Sequence, residues 1–319
     1  KDRVIPVAEK VRAAIRTFEG ANEVDLNHWS IERTRDYQRD LWKTVKESSF
    51  AETPVLSVSV TRLNYAGKLG DIGAWCDFSN IHPYPGGSEP ETGPGLGTDL
   101  GTGIKVAHAL AAERPIIITE TGYHSASENG NGHVAVSEHA AGIYLPRVFL
   151  HNFRSGIVRS YWYELLNSRL SETDKEANFG LYRNDGITIK PAGLAMKNLI
   201  ALLSDPGPPF RTGVLDYSLS DSMAQSVLFQ KRNGEFWLAL WLNSSLADSH
   251  RPYGQKQEVD PHDRDCTIRI AGVGVRVKLH ERLDGESPIS REISESSEFS
   301  ISLSERVAFL QITVPAKSE

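Results

Sequence analysis

The stretch RPIIITETGYH, residues 114–124, contains a continuous apolar run that stops abruptly on Glu120. A short run of β-branched residues between proline and glycine is typical of a buried parallel strand. A second stretch, TFEGANE at residues 17–23, stops in the same way on Asn22 and Glu23. Catalytic side chains of parallel α/β barrels project from the carboxyl ends of strands. The residues that end these two runs are therefore the first candidates for a site.

Strand-like and helical patterns alternate through residues 1–204, which indicates parallel βαβ units. The expected strands lie within residues 17–21, 55–60, 77–84, 114–124 and 157–167. The expected helices lie near residues 6–15, 30–48, 99–112, 137–154 and 191–203, with Ser30 as an N-cap and Pro191 in a first turn. Residues 85–99 are too rich in glycine and proline for regular structure and predict a long loop.

The pattern changes near residue 205. Beyond the linker-like DPGPPF, residues 205–210, apolar residues alternate with a period of two between turn signals. The stretch SVLFQKRNGEFWLALWLN, residues 226–243, predicts a hairpin because Arg-Asn-Gly separates two such runs. We therefore expect an antiparallel β-sandwich over residues 205–319 after an α/β domain over residues 1–204. The alternating apolar side chains near 236–241 are expected to fill a core rather than bind sugar.

Composition excludes several classes of function. The net charge is −6 and no lysine–arginine cluster is present, which argues against nucleic acid as a partner. No stretch approaches the roughly 18 apolar residues of a membrane span. The two cysteines, Cys76 and Cys266, are far apart in sequence and are expected to be structural thiols. The chain has no glycine-rich phosphate loop, and we expect no cofactor and no metal.

Polar and aromatic residues follow the other expected strands as well. They are His82, Tyr84, Tyr123, His124, Trp162 and Glu164, and Trp29 lies shortly after the first strand. Glycosidic cleavage requires two facing carboxyl groups, one protonated to assist the leaving oxygen and one ionised to attack the anomeric carbon. Aromatic rings suit the apolar faces of pyranose sugars. The pair Glu23 and Glu120 predicts this chemistry.

Other interpretations of the same residues stay open. A glutamate at a strand end often caps a helix or pairs with arginine, and a lone His82 is more often structural than catalytic. Tyr84, Trp29 and Trp162 could each pack at a rim, and Glu164 could form an ion pair. A metal-dependent hydrolase could use His82, His124 and Glu120, but the chain has no HExxH motif.

Several segments resemble glycoside hydrolases of clan A. EGANEVD (19–25) resembles the strand-four segment Gly-x-Asn-Glu-Pro, and IIITETGYH (116–124) resembles the strand-seven nucleophile segment. Further likeness to bacterial family 39-like members lies in NIHPYPGG (80–87), SYWYELLN (160–167) and NFGLYRNDGITIKPAGLAMKNL (178–199), and the C-terminal region resembles their β-sandwich. The resemblance implies a (β/α)8 TIM-barrel-type domain, present as roughly strands four to eight.

The resemblance also implies a mechanism. Glu23 would be the general acid/base, Glu120 the nucleophile and Asn22 the contact to the sugar 2-hydroxyl. Hydrolysis would proceed with retention, with the carboxyl groups about 5–5.5 Å apart. The substrate would be an oligosaccharide, a polysaccharide or a small glycoside, and the other candidates named above would bind it. The same resemblance implies a secreted or periplasmic protein.

Two departures from the family pattern matter. Val24 replaces the proline that usually follows the acid/base residue. If TFEGANE is strand four, strands one to three are not in this chain, and two sheet edges would be exposed. We therefore expect a second polypeptide, a longer chain or self-association to complete the barrel. The alternative function is a non-catalytic carbohydrate-binding or scaffold remnant of such an enzyme.

Overall fold

The computed structural model describes residues 4–91, 99–127, 133–246, 261–271 and 274–314. Residues 92–98 of the predicted long loop lie outside the described part of the chain. The helices are α1 (Val4–Lys10), α2 (Ile31–Lys46), α3 (Leu63–Leu69), α4 (Leu100–Ala111), α5 (Glu138–Arg154) and α6 (Pro191–Leu203). The strands are β1 (Ser79–Ile81), β2 (Ile116–Thr121), β3 (Arg159–Trp162), β4 (Tyr217–Leu219), β5 (Ala224–Gln230), β6 (Phe236–Leu242), β7 (Arg264–Ile270), β8 (Arg276–Glu281), β9 (Ile289–Ser294), β10 (Glu298–Leu303) and β11 (Ala308–Thr313).

The chain divides into two compact units. The first comprises Lys1–Gly86, Pro94–Gly122 and Asn152–Tyr163. The second comprises Gly87–Gly93, Tyr123–His151 and Glu164–Glu319. The domain boundary at residue 204 stays a prediction.

The first unit is built on a parallel sheet. Strand β2 lies between β1 and β3, and both pairings are parallel. Isolated parallel bridges join Phe18 to Val55 and Leu56 to Phe78, and thereby extend the same order toward the start of the chain. Five parallel segments follow one another in chain order, as the sequence predicts.

The first two of these segments are not regular strands, although the sequence predicts strands at 17–21 and 55–60. The side chain of Gln38, fully buried on α2, accepts from the backbone N–H of Val58 and donates to the carbonyl of Leu56. The hydroxyl of Ser57 accepts from the N–H of Asn80. These side chains bond to backbone groups that neighbouring strands would pair in a regular ladder. The segment 55–60 is therefore buried without continuous backbone pairing to its neighbours.

Helices α3 and α4 cover one face of the parallel sheet. The core between them contains Ile81 of β1, Ile118 of β2 and Val106 of α4, each of them buried. Helix α2 begins where the sequence predicts, because the hydroxyl of Ser30 accepts a hydrogen bond of 3.2 Å from the N–H of Arg33.

The second unit contains two antiparallel sheets, with strand orders β10-β7-β4 and β5-β6-β11-β8-β9. One apolar core contains side chains of both sheets. Along β6, Phe236 and Leu238 belong to that core, while Trp237 and Trp241 belong to a second core together with Leu150 of α5. Both faces of β6 are therefore buried, which confirms that the alternating side chains fill cores.

Two further expectations concern the cysteines and the membrane. Cys76 and Cys266 are both buried free thiols, as the sequence predicts. No helix within the described residues combines the length and the hydropathy that a membrane crossing requires.

Candidate active site

Glu23, His82 and Glu120 meet at the carboxyl ends of the parallel segments. Nδ1 of His82 lies 3.2 Å from Oε1 of Glu23 and 3.6 Å from Oε2 of Glu120. One donor atom from each of the three residues lies within 4.8 Å of the other two. Two residues that are 97 positions apart in sequence thus present their carboxylates to the same edge of one imidazole ring.

A bulge in β2 directs two consecutive side chains to this ring. Ile118 pairs with Ser160 and Thr121 pairs with Trp162, so β2 holds one residue more than β3 over this interval. Successive side chains of a regular strand point to opposite faces, but a bulge changes that alternation locally. Thr119 Oγ1 lies 2.8 Å from Nε2 of His82, while the carboxylate of Glu120, the next residue, lies near Nδ1.

The segment that follows β1 contributes the central residues by simple alternation. Asn80, His82 and Tyr84 lie two positions apart and contact the site, whereas Ile81 packs into the core beneath α4. The hydroxyl of Tyr84 donates a hydrogen bond of 2.9 Å to Oε2 of Glu120. Burial, together with the charge of Glu120, raises the pKa of the Tyr84 phenol far above its usual range, so the phenol stays a donor.

Glu23 has an unusual backbone conformation. Its φ angle is +41°, in the left-handed region that residues other than glycine rarely adopt, and such strain is concentrated at functional sites. The conformation is supported by Ser59, whose hydroxyl accepts a bond of 2.7 Å from the N–H of Glu23. The N–H of Val24 donates to the carbonyl of the same serine at 3.3 Å. A proline at 24 would lack this donor, so the structure accommodates the departure from the family pattern.

His82 carries the positive charge of the cluster. Its side chain is fully buried, and burial alone would lower its pKa. Interactions with Glu19 and Glu23 and the charge of Glu120 outweigh burial and raise the pKa of His82 to about 9. The ring is therefore an imidazolium at neutral pH, and its Nδ1–H faces the side chains of Glu23 and Glu120.

The same three residues lie at distances that could surround a metal ion. The metal interpretation of the sequence included His124, which belongs to the second unit, and Glu23 takes its place in the cluster. A metal ligand must be a neutral imidazole. Any metal would therefore have to displace the proton that the raised pKa keeps on His82.

Three other candidates lie in the first unit. Asn22 is exposed, and its carbonyl accepts from Nδ2 of Asn27 at 3.0 Å. The ring of Trp29 packs on α2, with the Arg33 guanidinium 3.8 Å from the ring centroid. Trp162 ends β3 opposite Thr121. Substrate contact by these residues stays a prediction.

Tyr123, His124 and Glu164 belong to the second unit. The hydroxyl of Tyr123 donates to the carbonyl of Ser88 at 2.7 Å. Burial lowers the pKa of His124 to about 4. Burial raises the pKa of Glu164, whose Oε1 is buried without a hydrogen-bond partner among the described residues. Their assignment as substrate-binding residues also stays a prediction.

Sequence reasoning missed Glu19, Asn80 and Thr119, all of which contact the ring of His82 or one another. The sequence contains a pattern that could have identified Glu19 and Asn80. Glu19 is a charged residue inside a strand-like run at the same parity as Glu23, and Asn80 has the same parity as His82. Thr119 lies on the face of β2 opposite the core residue Ile118 and could have been found by alternation, whereas Glu120 has the parity of Ile118 and only the bulge in β2 turns it toward the site.

No protein-family model and no curated protein matches the chain. Solved structures do match. A family 39 glycoside hydrolase from Bacteroides cellulosilyticus WH2 shares 16% identity with a TM-score of 0.67, covering 98% of this chain and 61% of that one. A GH51 arabinofuranosidase from Xanthomonas axonopodis pv. citri shares 11% identity at a TM-score of 0.57, covering 94% and 66%. An α-L-arabinofuranosidase from Thermotoga maritima shares 12% at 0.56, covering 90% and 62%.

These likenesses lie at 11% to 16% identity and therefore concern the fold. The chain spans between 61% and 66% of the length of the three proteins. The resemblance inferred from the sequence segments is confirmed at the level of the fold, because a family 39 enzyme and further glycoside hydrolases of clan A align with nearly the whole chain. The chain has the mixed α/β fold of the clan A glycoside hydrolases.

Proposed function

We propose that this chain carries the catalytic residues of a retaining glycoside hydrolase, with an oligosaccharide, a polysaccharide or a small glycoside as its substrate. The observation that carries the proposal is the pair of carboxylates. An oxygen of Glu23 and an oxygen of Glu120 lie within 4.8 Å of each other at the ends of parallel segments. Retaining enzymes place their carboxyl groups about 5–5.5 Å apart, whereas inverting enzymes leave about 6.5–9.5 Å for a water molecule.

The reaction would proceed in two displacements. In the first, Glu120 attacks the anomeric carbon, while Glu23 gives its proton to the leaving oxygen as the glycosidic bond breaks. In the second, Glu23 takes a proton from a water molecule whose oxygen attacks the anomeric carbon. The bond between that carbon and Glu120 breaks as the bond to the water oxygen forms, and the sugar leaves with its original anomeric configuration.

The assignment of the two roles rests on the resemblance and on one contact. Tyr84 donates a hydrogen bond to Oε2 of Glu120, which stabilises an ionised carboxylate and limits its rotation. Both effects suit a nucleophile. Asn22 would contact the sugar 2-hydroxyl, as the family motif implies.

We also propose that the five parallel segments are part of a (β/α)8 barrel and that residues 205–319 form the accompanying β-sandwich. Within the described residues, β3 is the last strand of its sheet and pairs only with β2. An open edge of this kind exposes backbone donors and acceptors that proteins normally cover. A second polypeptide, a longer chain or self-association would supply the missing strands and support activity. Size-exclusion chromatography with light scattering would test this, since a stable, active monomer of 35.3 kDa would contradict it.

The experiment that tests the function is covalent labelling. A mechanism-based probe of retaining glycosidases should modify Glu120, and peptide mass spectrometry should locate the label. Glu120→Gln should abolish labelling and turnover, whereas Glu52→Gln, which alters an exposed glutamate elsewhere in the first unit, should not. Labelling at another residue, or none in a complete protein, would contradict the proposal.

The alternative, a non-catalytic carbohydrate-binding remnant, predicts a different result. Such a protein would bind oligosaccharides in calorimetry and would show no turnover before or after Glu120→Ala. If the protein is an enzyme, Glu120→Ala abolishes hydrolysis and spares binding.

We further propose a secreted or periplasmic location, which the resemblance alone supports. Immunoblotting of cytoplasmic, periplasmic and culture-medium fractions from the source cells would test it. A signal confined to the cytoplasmic fraction would contradict it.

A further inference from the structure

Glu19 connects the side chains that lie behind the candidate catalytic pair. Its Oε1 accepts hydrogen bonds from Nδ2 of Asn80 at 2.7 Å and from Oγ1 of Thr119 at 2.9 Å. The same oxygen lies 3.8 Å from Nε2 of His82. The side chain of Glu19 is 37% exposed, so the carboxylate lies at the margin of the cluster rather than in its interior.

The protons available to these groups define the direction of each hydrogen bond. Thr119 Oγ1 lies 2.8 Å from Nε2 of His82, and a protonated ring donates at that position. The threonine hydroxyl then directs its single proton toward Glu19 or toward Oδ1 of Asn80, which lies 2.7 Å away. A carboxylate can only accept, so the donations end on Glu19.

The charges around the ring are arranged on two sides. Glu23 and Glu120 face Nδ1, whereas Glu19 is the carboxylate near Nε2 within the described residues. Burial raises the pKa of Glu19, but its contacts with His82, Thr119 and Asn80 outweigh burial and lower it. Glu19 is therefore ionised at neutral pH, where the ring is also charged.

Of the three glutamates around His82, Glu19 is the one without a role in the proposed chemistry. Glu23 and Glu120 act on the substrate, whereas Glu19 lies on the opposite side of His82. The charge of Glu19 attracts Nε2, whereas Glu23 and Glu120 attract Nδ1 on the other side of the ring. Opposed attractions of this kind favour one orientation of the ring plane. That orientation determines where Nδ1–H points.

We propose that Glu19 is a positioning residue that fixes the imidazole ring of His82 against the two candidate catalytic carboxylates. The consequence for catalysis rests on the proposed function. The effect on the ring itself does not, because it can be measured without a substrate.

The first test measures the ring directly. Histidine 15N–1H correlation spectra of the 319-residue chain, with His82→Asn to assign the signals, report the pKa and the protonation state of His82. Glu19→Gln keeps the size and the acceptor oxygen but removes the charge. We expect it to lower the pKa of His82 by about one unit or more, from a starting value of about 9. Glu52→Gln, which also removes one exposed negative charge, is the matched control and should leave the pKa unchanged.

The second test measures turnover of an aryl glycoside. Glu19→Gln should lower kcat by about tenfold or more with little change in KM, since a displacement of about 1 Å at reacting groups costs about 100-fold. The loss of kcat that accompanies deprotonation of His82 should shift to lower pH in parallel. Glu19→Asp retains the charge and should restore part of both losses, whereas a packing role would not distinguish the two variants.

The outcomes separate the inference from the proposed function. A lowered pKa of His82 in Glu19→Gln, together with a lower kcat, supports both. A wild-type protein that neither turns over glycosides nor labels, while its His82 still responds to Glu19→Gln, contradicts the proposed function and supports the role of Glu19. An unchanged pKa of His82 in a folded Glu19→Gln variant overturns the inference, whatever the activity.

Discussion

The hydroxyl of Tyr84 lies 2.9 Å from Oε2 of Glu120 and donates a hydrogen bond to it. Tyr84 is held there because it lies three residues beyond the end of β1 and continues the alternation of Asn80 and His82, while Glu120 projects from the bulge in β2. A phenol that stays protonated is a fixed donor, and a carboxylate that attacks carbon benefits from a fixed orientation.

Tyr84→Phe removes that donor and keeps the ring. A hydrogen bond to a charged group contributes about 1.5–3 kcal/mol, so we expect kcat/KM to fall about 10- to 100-fold in steady-state assays with aryl glycosides. Tyr217→Phe is the control, because its hydroxyl contacts Oγ of Ser226 in the second unit. Equal losses in the two variants would contradict a specific role for Tyr84.

The stability of the protein should depend on pH through His82. The pKa of His82 is raised from an ordinary value of 6.5 to about 9, so the folded state binds this proton more tightly than the unfolded state. The stabilisation is complete below about pH 6.5 and is lost as the pH rises toward 9, to a total of at most about 3 kcal/mol. Urea unfolding of the wild type and of His82→Asn between about pH 6 and 9.5 tests this. The two free energies of unfolding should converge with rising pH, and parallel curves would contradict the prediction.

Gly20 is required by the close approach of two segments. A Cβ atom at this position would lie closer to the backbone nitrogen of Val58 than Cβ atoms approach in real proteins, and backbone atoms cannot rotate away. Gly20→Ala should therefore lower the free energy of unfolding by about 2–3 kcal/mol. Gly67→Ala is the matched control, since open space surrounds Gly67 on α3 and alanine favours a helix by about 1 kcal/mol. Destabilisation by both substitutions in thermal melts would contradict this account.

A buried ion pair in the second unit should matter more than an exposed one. The fully buried Arg147 contacts the carboxylate of Glu91, whose side chain is 3% exposed and also accepts from Nε1 of Trp241. Arg147→Met leaves that carboxylate buried without its cation and should cost about 3–5 kcal/mol in urea unfolding. Arg183→Met breaks the exposed pair with Glu138 and should cost less than about 1 kcal/mol. Similar costs for both variants would contradict the role of burial.

Much of the fold follows from local pattern. The N-cap at Ser30, the first-turn position of Pro191 and the hairpin between β5 and β6 are predicted from nearest neighbours along the chain, and the structure has all three. These features depend on hydrogen bonds and dihedral preferences within a few residues. The expected strand at 55–60 differs because the side chain of Gln38, on α2, bonds to backbone groups of Leu56 and Val58 that a regular ladder would pair.

The sequence by itself determined which residues end the parallel segments, because apolar runs and their polar ends are local. It therefore identified Glu23, His82, Tyr84 and Glu120. Only the tertiary structure decided that Thr119 joins Glu120 at one ring and that Glu19 lies at its other side. A bulge depends on the pairing of two strands, and the charge of His82 depends on carboxylates from distant segments, so neither can be read from a single stretch of chain.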